Sequence, residues 1–321
     1  MKKHWFQTLA VLLCATICLG ALGCAKTAEY TVGVCQLSTH NALDEATKGF
    51  CDALEEQLGD DVDIRIESAS GDSNTVSSII NAFVADQVDL IVANSTPVLQ
   101  NAAAATTDSP ILGTAVTDYG AALGIDAFDG TVGGNVSGTS DLAPLDAQAE
   151  MIEEWFPAGD YPNVGMLYCS SEANSIYQIE TVGALLEEKG YTCTVYPFAD
   201  SNDIAAVTTD AAAHSDVIFV PTDNRVADNV TIIDNICRGV VPVIGGDEAI
   251  CAACGVAAIS VEYYDMGYAT GLMAAKVLTG EETISHMPIA YADIFTVCYN
   301  PDTCAALSIT VPDDRYEIVN K

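Results

Sequence analysis

The feature of this sequence that most constrains its fold is an apolar run at residues 88–93, VDLIVA, which ends at the polar turn NSTP. Apart from Asp89 the run is continuously apolar, which is typical of a parallel strand buried on both faces of a sheet. Ser95 or Thr96 can cap a following helix, and Pro97 suits its first turn. The pattern therefore predicts a helix whose free N–H groups attract an anion at the edge of the sheet.

The same alternation of strand, polar turn and helix runs along most of the chain. The first half has predicted strands at residues 30–36, 62–67, 88–93 and 110–116, with helices at 41–58 and 73–86. We interpret the glycine-rich residues 120–140 as the edge of the first lobe and a crossing to the second, because they are too loose for a regular βα unit. The second half echoes the first, with strands at 164–169, 192–198, 216–221 and 240–244 and helices at 176–189, 203–213 and 226–237. This alternation predicts an α/β fold of two Rossmann-like lobes, with a cleft between the carboxyl edges of two parallel sheets.

Composition limits the classes of partner. The chain has 321 residues, which suits two domains. Its net charge of -34 repels phosphate backbones and anionic membranes, so nucleic acid is excluded as a partner. Because 50% of the residues are hydrophobic and only 17% are charged, we expect a globular protein rather than an acidic disordered tail.

The first 24 residues have the pattern of a signal peptide. Lys2 and Lys3 provide the positive start, residues 9–19 the short apolar core, and ALG precedes Cys24. This ending resembles the lipobox of bacterial lipoproteins, in which Cys24 is lipidated and becomes the mature N-terminus. A signal peptide that is simply cleaved stays open as an alternative. Residues 25–29 would form a short tether.

Nine cysteines follow Cys24, and export makes disulfides possible. Cys298 and Cys304 are near enough in sequence to form a bridge. Cys251 and Cys254 have the spacing of half a zinc site or a redox motif, but no second pair stands at a matching distance. We therefore expect core thiols or disulfides and no metal.

Six motifs carry a resemblance to a known family. In order they are QLSTHNALDEATKGF, ANSTPVLQNAAAATTDSPILGTAVTD, NVSGTSD, SSEANS, PTDN and GGDE. Their order is similar to that in substrate-binding lipoproteins of ABC importers, especially those resembling tryptophan- and tyrosine-binding proteins. The resemblance implies a type I periplasmic-binding-protein fold with three crossovers, in which residues 30–140 with 262–285 form lobe 1 and residues 141–261 with 290–321 form lobe 2. It also implies no cofactor, an extracytoplasmic location on the membrane through Cys24, and an ABC permease and ATPase as partners.

An amino acid ligand needs donors for its carboxylate and acceptors for its ammonium group. Polar residues at the predicted sheet edges provide both. The candidates in the first lobe are Gln36, Ser38, His40, Ser95, Thr96, Thr117 and Asp118. Those in the second lobe are Ser171, Asn174, Ser175, Asp223, Asn224 and Asp247. Our hypothesis is that the first lobe holds the carboxylate and that Asp223 or Asp247 holds the ammonium group; a carboxylate bound by Arg225 would reverse this orientation.

Three classes of function fit the sequence. The leading one is a tethered protein that binds an amino-acid-like solute, with an aromatic amino acid favoured, and delivers it to a permease. The second is a sensory module that uses the same fold to report occupancy to a membrane signalling partner. The third, an enzyme, is disfavoured because the chain has no GxxxxGK or GxSxG motif and its four histidines form no metal pattern.

Overall fold

A first sheet of six strands is built mainly from the N-terminal half of the protein. The computed structural model describes residues 28–319. In chain order the strands of this sheet are β1 (Tyr30–Gln36), β2 (Val62–Ser68), β3 (Leu90–Asn94), β4 (Ile111–Val116), β5 (Val136–Ser140) and β11 (Ala290–Tyr291). Their spatial order is β11-β5-β4-β3-β1-β2, and each pairing is parallel. The buried strand predicted at residues 88–93 is therefore central, as β3.

A second sheet of seven strands follows the same plan. Its strands are β6 (Asn163–Cys169), β7 (Thr192–Phe198), β8 (Val217–Val220), β9 (Val243–Gly245), β10 (Ala257–Ser260), β12 (Thr296–Tyr299) and β13 (Glu317–Ile318). They lie in the order β13-β12-β10-β9-β8-β6-β7, and only the pair β10 and β12 is antiparallel.

Twelve α-helices within the described residues connect the strands. The first six are α1 (Asn41–Leu58), α2 (Ser73–Asp86), α3 (Thr96–Ala105), α4 (Tyr119–Leu123), α5 (Leu145–Trp155) and α6 (Ala173–Glu188). The others are α7 (Ile204–His214), α8 (Asn224–Asp228), α9 (Val230–Cys237), α10 (Glu248–Ala253), α11 (Tyr263–Leu278) and α12 (Pro301–Leu307). The predicted architecture of two parallel-sheet lobes is confirmed.

The chain crosses between the sheets three times. It does so after β5, after β10, and between β11 and β12. The second crossing returns the chain to the first lobe, where the backbones of α11 and α1 are in close contact. A Cβ atom on Gly267 would overlap the carbonyl of Ala46, and one on Gly271 would lie 2.6 Å from the carbonyl oxygen of Phe50. Glycine therefore permits the close approach that attaches α11 to the first lobe.

The prediction for residues 120–140 was right about their place and wrong about their structure. They lie near the edge of the first sheet and lead to the crossing, but they contain most of α4 and the fifth strand of that sheet, β5. The sequence of β5 is VSGTS, whose small residues carry no apolar signal although every one is buried. Gly138 has φ 146, and a Cβ atom there would overlap the backbone of Gly113 in β4. The strand was missed because close packing against its neighbour requires small side chains.

Two other expectations need correction. The single helix predicted at residues 226–237 is two helices, α8 and α9, which meet at Asn229. The bridge considered between Cys298 and Cys304 is absent, because all nine cysteines of the described residues are free thiols. Seven of them are buried, so they act as small apolar core residues. The predicted signal peptide and lipidated Cys24 lie outside the described residues.

Candidate ligand-binding site

A small cavity lies between the lobes, where the carboxyl edges of the two sheets face each other. The space open to the centre of a water molecule is about 10 Å³, which is room for roughly one water. The lobes are therefore closed on each other. Six predicted residues line it, namely His40, Thr117, Asn174, Asp223, Asn224 and Asp247. Asp141, Thr222 and Tyr263 also line it, together with the apolar side chains of Ala42, Leu43, Ala115 and Ala227.

Three hydroxyl groups at the carboxyl edge of the first sheet have no hydrogen-bond partner. Ser38, Ser95 and Thr96 are buried, and their side-chain oxygens have no hydrogen-bond partner. Ser95 precedes α3 but does not cap it with its side chain, contrary to the more common role of a residue there. Because β1, β3 and β4 are neighbours, these hydroxyls and the N-terminus of α3 share one sheet edge with Thr117. The edge combines hydroxyl donors with the positive end of a helix dipole, which suits a carboxylate.

Gln36 lies at the same edge, but its amide group is already occupied. Its Nε2 donates to the Ser38 carbonyl oxygen at 2.7 Å and to Asp44 Oδ1 at 2.6 Å. Its Oε1 accepts from Thr47 Oγ1 at 2.6 Å. The side chain thus holds the loop after β1 in place, which positions Ser38.

Asp118 and Ser171 lie apart from the cavity lining. Asp118 Oδ1 accepts from the backbone N–H of Ala121 at 2.6 Å and so caps α4. Ser171 is exposed, and its hydroxyl contacts Cys169 Sγ at 3.0 Å and the Ala199 carbonyl. The local roles of turn and cap account for both residues.

Asp223 is buried at the edge of the second sheet, and its carboxylate is saturated by its own lobe. Oδ2 accepts from the backbone N–H of Cys169 at 2.7 Å and from Ser175 Oγ at 2.8 Å. Oδ1 accepts from the N–H of Val226 at 2.9 Å and caps α8. Burial raises the pKa of Asp223, and these donors oppose the rise. Ser175 therefore acts beneath the cavity surface as a support for Asp223.

Glu172 forms a second buried acid next to Asp223. Its carboxylate accepts from the side-chain amide of Asn224 at 2.8 Å and from the backbone N–H of Arg225 at 3.1 Å. Burial, and then the neighbouring charge of Asp223, raise the pKa of Glu172 to about 7. The sequence places Glu172 at the same edge, in the motif SSEANS, but it was not among the predicted ligand-binding residues. Its role is to hold the N-terminus of α8, and therefore Asn224, at the cavity.

Asp247 and Asp141 are two further buried acids that line the cavity. Asp247 Oδ1 accepts from the N–H of Ile250 at 2.9 Å and caps α10, and burial raises its pKa to about 6, with Asp141 as a smaller cause. Asp141 Oδ2 accepts from the hydroxyl of Tyr263 at 3.1 Å, whereas its Oδ1 is buried without a partner. Burial also raises the pKa of Asp141. Asp141 therefore retains an oxygen for a cationic group, and Asp247 is a second acid at the same cavity.

Asp141 and Tyr263 were not among the predicted site residues. Each adjoins an element, β5 or α11, that the sequence pattern did not place next to the cavity. Asp141 directly follows the missed strand β5, and Tyr263 begins α11 after the second crossing. The motif NVSGTSD, which ends in Asp141, was the one available signal.

Two basic side chains complete the electrostatics. His40 lines the cavity, both of its ring nitrogens are buried without a hydrogen-bond partner, and burial lowers its pKa, which disfavours the charged ring. Arg225 directs its guanidinium to the carbonyl of Gly71 at 3.1 Å and does not line the cavity. The reversed orientation, with a ligand carboxylate on Arg225, is therefore not favoured.

The chain is similar to known proteins in sequence and in structure. Residues 31–317 match the family described as ABC transporter substrate binding protein. A tyrosine-binding protein from Clostridioides difficile is 33% identical over 88% of this chain and 81% of its own length. The described residues contain no helix long and apolar enough to cross a membrane.

Two solved structures of related proteins, one with a ligand and one without, differ in their similarity to this chain. A Streptococcus pneumoniae ABC domain in complex with L-Trp is 31% identical, with a TM-score of 0.84 over 89% of this chain and 97% of that chain. A substrate binding protein with adhesive properties from Clostridium difficile, in its ligand-free open structure, is 34% identical, with a TM-score of 0.69 over 90% of this chain and 99% of that chain. At similar identity, the structure of this chain is therefore more similar overall to the complex than to the ligand-free structure. The chain belongs to the family of ABC transporter substrate-binding proteins and has the type I periplasmic-binding-protein fold.

Proposed function

We propose that this protein captures an aromatic amino acid outside the cytoplasm and delivers it to an ABC importer. The observation that carries the proposal is that donors and acids lie at the same sheet edges. Ser38, Ser95 and Thr96 have buried hydroxyls without partners at the edge of the first sheet, beside the N-terminus of α3, and the acids Asp141 and Asp247 line the cavity. An amino acid, whose ammonium and carboxylate groups are bonded to one carbon, requires both kinds of partner close together.

The carboxylate of the ligand binds at the first lobe. Ser38, Ser95 and Thr96 supply hydroxyl donors there, and the free N–H groups of the first turn of α3 add the helix dipole. Making these bonds also removes the free-energy penalty of buried polar groups without partners.

The ammonium group binds between Asp141 and Asp247. Both acids line the cavity, Asp141 Oδ1 is buried without a partner, and the hydrogen bond from Ile250 occupies only Oδ1 of Asp247. We prefer Asp141 and Asp247 to Asp223, because the three donors on Asp223 leave it little capacity for a cation. A bound ammonium would also offset the cost of keeping two acids ionised in a buried site.

The side chain of the ligand requires an apolar surface. Leu43, Ala115 and Ala227 line the cavity beside the rings of His40 and Tyr263. Since the cavity has room for about one water, an aromatic ring enters only when the lobes separate and these side chains adjust. The tyrosine-binding relative and the L-Trp complex support the choice of an aromatic ligand.

The importer role rests on family membership. A permease and an ATPase are the partners of this proposal, and a lipid on Cys24 would hold the protein at the membrane. Deletion of the encoding gene should then reduce uptake of the amino acid. Replacement of Cys24 by Ser should release the protein from the membrane fraction.

The direct test is calorimetry with the protein that starts at Ala25. We expect L-tyrosine or L-tryptophan to bind at one site with Kd in the micromolar range or tighter, and D-enantiomers and N-acetyl derivatives to bind at least 10-fold more weakly. The N-acetyl derivatives lack the ammonium charge that the two acids recognise. Equal binding of N-acetyl and free amino acids would contradict the assignment of Asp141 and Asp247. No binding of any amino acid would overturn the proposed ligand class.

A further inference from the structure

Arg225 differs from the other basic residues of the described chain. Residues 28–319 contain seven of the 11 Lys and Arg residues. Six of them lie within 4.0 Å of a carboxylate on the surface, namely Lys48, Arg65, Lys189, Arg238, Lys276 and Arg315. Arg225 has no such partner among the described residues, although the chain is rich in acids. Its guanidinium instead makes a contact between the two lobes.

The contact joins α8 of the second lobe to the loop between β2 and α2 of the first. Arg225 Nη2 donates to the carbonyl oxygen of Gly71 at 3.1 Å. A Cβ atom on Gly71 would lie 3.3 Å from both Arg225 Nη1 and Asp228 Oδ2, so the two lobes are in close contact at this point. Gly71 has φ 75, a conformation that glycine adopts without strain.

Both ends of this contact are anchored in their own lobes. On the first lobe, the N–H of Gly71 donates to the carbonyl of Leu37 at 2.8 Å, which fixes the loop against the end of β1. On the second lobe, the N–H of Arg225 donates to Glu172 at 3.1 Å, and its carbonyl accepts from Asn229 Nδ2 at 2.8 Å. Because the backbone at each end is held by its own lobe, an opening larger than the reach of the Arg225 side chain breaks the hydrogen bond.

The charge of Arg225 also suits its position. Asp228 lies beside the contact on the second lobe, and Asp72 follows Gly71 on the first. Hydrogen bonds from Thr75 are the main cause of the lowered pKa of Asp72, and the charge of Arg225 contributes in the same direction. A cation between these two acids reduces their mutual repulsion when the lobes close.

We propose that Arg225 is a latch, a positioning residue that holds the lobes closed through Gly71 and so slows release of the ligand. This inference adds a control of ligand release to the proposed function, and it rests on that function for the identity of the ligand. It contacts no part of the cavity, so it acts on the open and closed equilibrium rather than on recognition.

The test compares Arg225→Gln with the matched variant Arg238→Gln, in stopped-flow binding of L-tyrosine and L-tryptophan. Arg238 is a cation of the same lobe whose partner, Asp234, lies on the same helix. We expect Arg225→Gln to raise koff roughly 10-fold with kon changed less than about twofold, because one charge-assisted hydrogen bond of the closed state is lost. Arg225→Lys should recover part of the effect, and Arg238→Gln should match the wild type. An unchanged koff in Arg225→Gln, or an equal rise in Arg238→Gln, would overturn the latch.

A second measurement separates the latch from the choice of ligand. Small-angle X-ray scattering of the protein without ligand should give Arg225→Gln a larger radius of gyration than both the wild type and Arg238→Gln. Equal radii for all three proteins would overturn the latch whatever the ligand is. If the wild type binds neither amino acid, the proposed function fails and the scattering result alone decides the latch.

Discussion

Replacing Asp247 by Asn should stabilise this protein while weakening its binding. Asp247 is 4% exposed, and burial raises its pKa from the ordinary 3.8 to about 6. A raised pKa means that the folded protein holds the proton more tightly than the unfolded chain. The stability that this provides is complete below about 3.8 and is lost as the pH rises through about 6.

The size of the effect follows from the shift. The two pKa values differ by about 2.2, and each pKa unit corresponds to about 1.36 kcal/mol. Ionised Asp247 therefore lowers the free energy of unfolding by at most about 3 kcal/mol above pH 7. Asn has no charge to bury, and it can still accept the 2.9 Å hydrogen bond from Ile250 that caps α10. Asp247→Asn should therefore gain up to about 3 kcal/mol at pH 8, and less than about 1 kcal/mol near pH 4.

The assay is denaturant unfolding without ligand at both pH values, together with calorimetry of L-tyrosine and L-tryptophan. We expect at least 10-fold weaker binding by Asp247→Asn, because the ammonium group loses a charged partner. Asp223→Asn is the matched control. Its three hydrogen-bond donors require a carboxylate, so this change should destabilise the protein by about 1–3 kcal/mol. An Asp247→Asn protein that is less stable than wild type at pH 8, or that binds equally well, would refute the reasoning.

Three further predictions concern other parts of the molecule. Asp141→Asn should weaken binding of L-tyrosine and L-tryptophan at least 10-fold in calorimetry while preserving the hydrogen bond from Tyr263, and unchanged affinity would remove Asp141 from the site. Gly267→Ala should destabilise the protein by about 2 kcal/mol or more in denaturant unfolding, because the added methyl group meets the Ala46 carbonyl where α11 packs on α1. Gly190→Ala is the control: a Cβ atom there has open space around it, although the φ of 96 at Gly190 adds strain of its own. A thiol titration of the denatured protein that starts at Ala25 should find nine groups without reductant, and seven or fewer would reveal a disulfide.

The elements that the sequence predicted well are those with a strong local pattern. The strand Tyr30–Gln36 and the helix Asn41–Leu58 have the predicted bounds, because apolar periodicity and the turn residues that end each element are all local. β5 was missed because its burial depends on glycine and serine packed against β4, which leaves no hydrophobic signal. Where strands were recognised, the polar residues that follow them were correctly expected at one edge of a sheet.

Tertiary structure decided which of those polar residues remain available. The hydrogen bonds that saturate Asp223 come from Cys169 and Ser175, which lie 54 and 48 positions away in sequence. Asp141 meets Tyr263 across 122 positions, and Arg225 meets Gly71 across 154.

Hydrophobic periodicity and turn chemistry act between near neighbours, so the two-lobed α/β fold and the polar turns at the carboxyl edges of its sheets could be predicted from the sequence. The sequence could not show which acid keeps a free oxygen, which hydroxyl lacks a partner and which cation bridges the lobes. A hydrogen bond depends on distances within about 3.5 Å, and these are fixed by the packing of segments far apart in the chain.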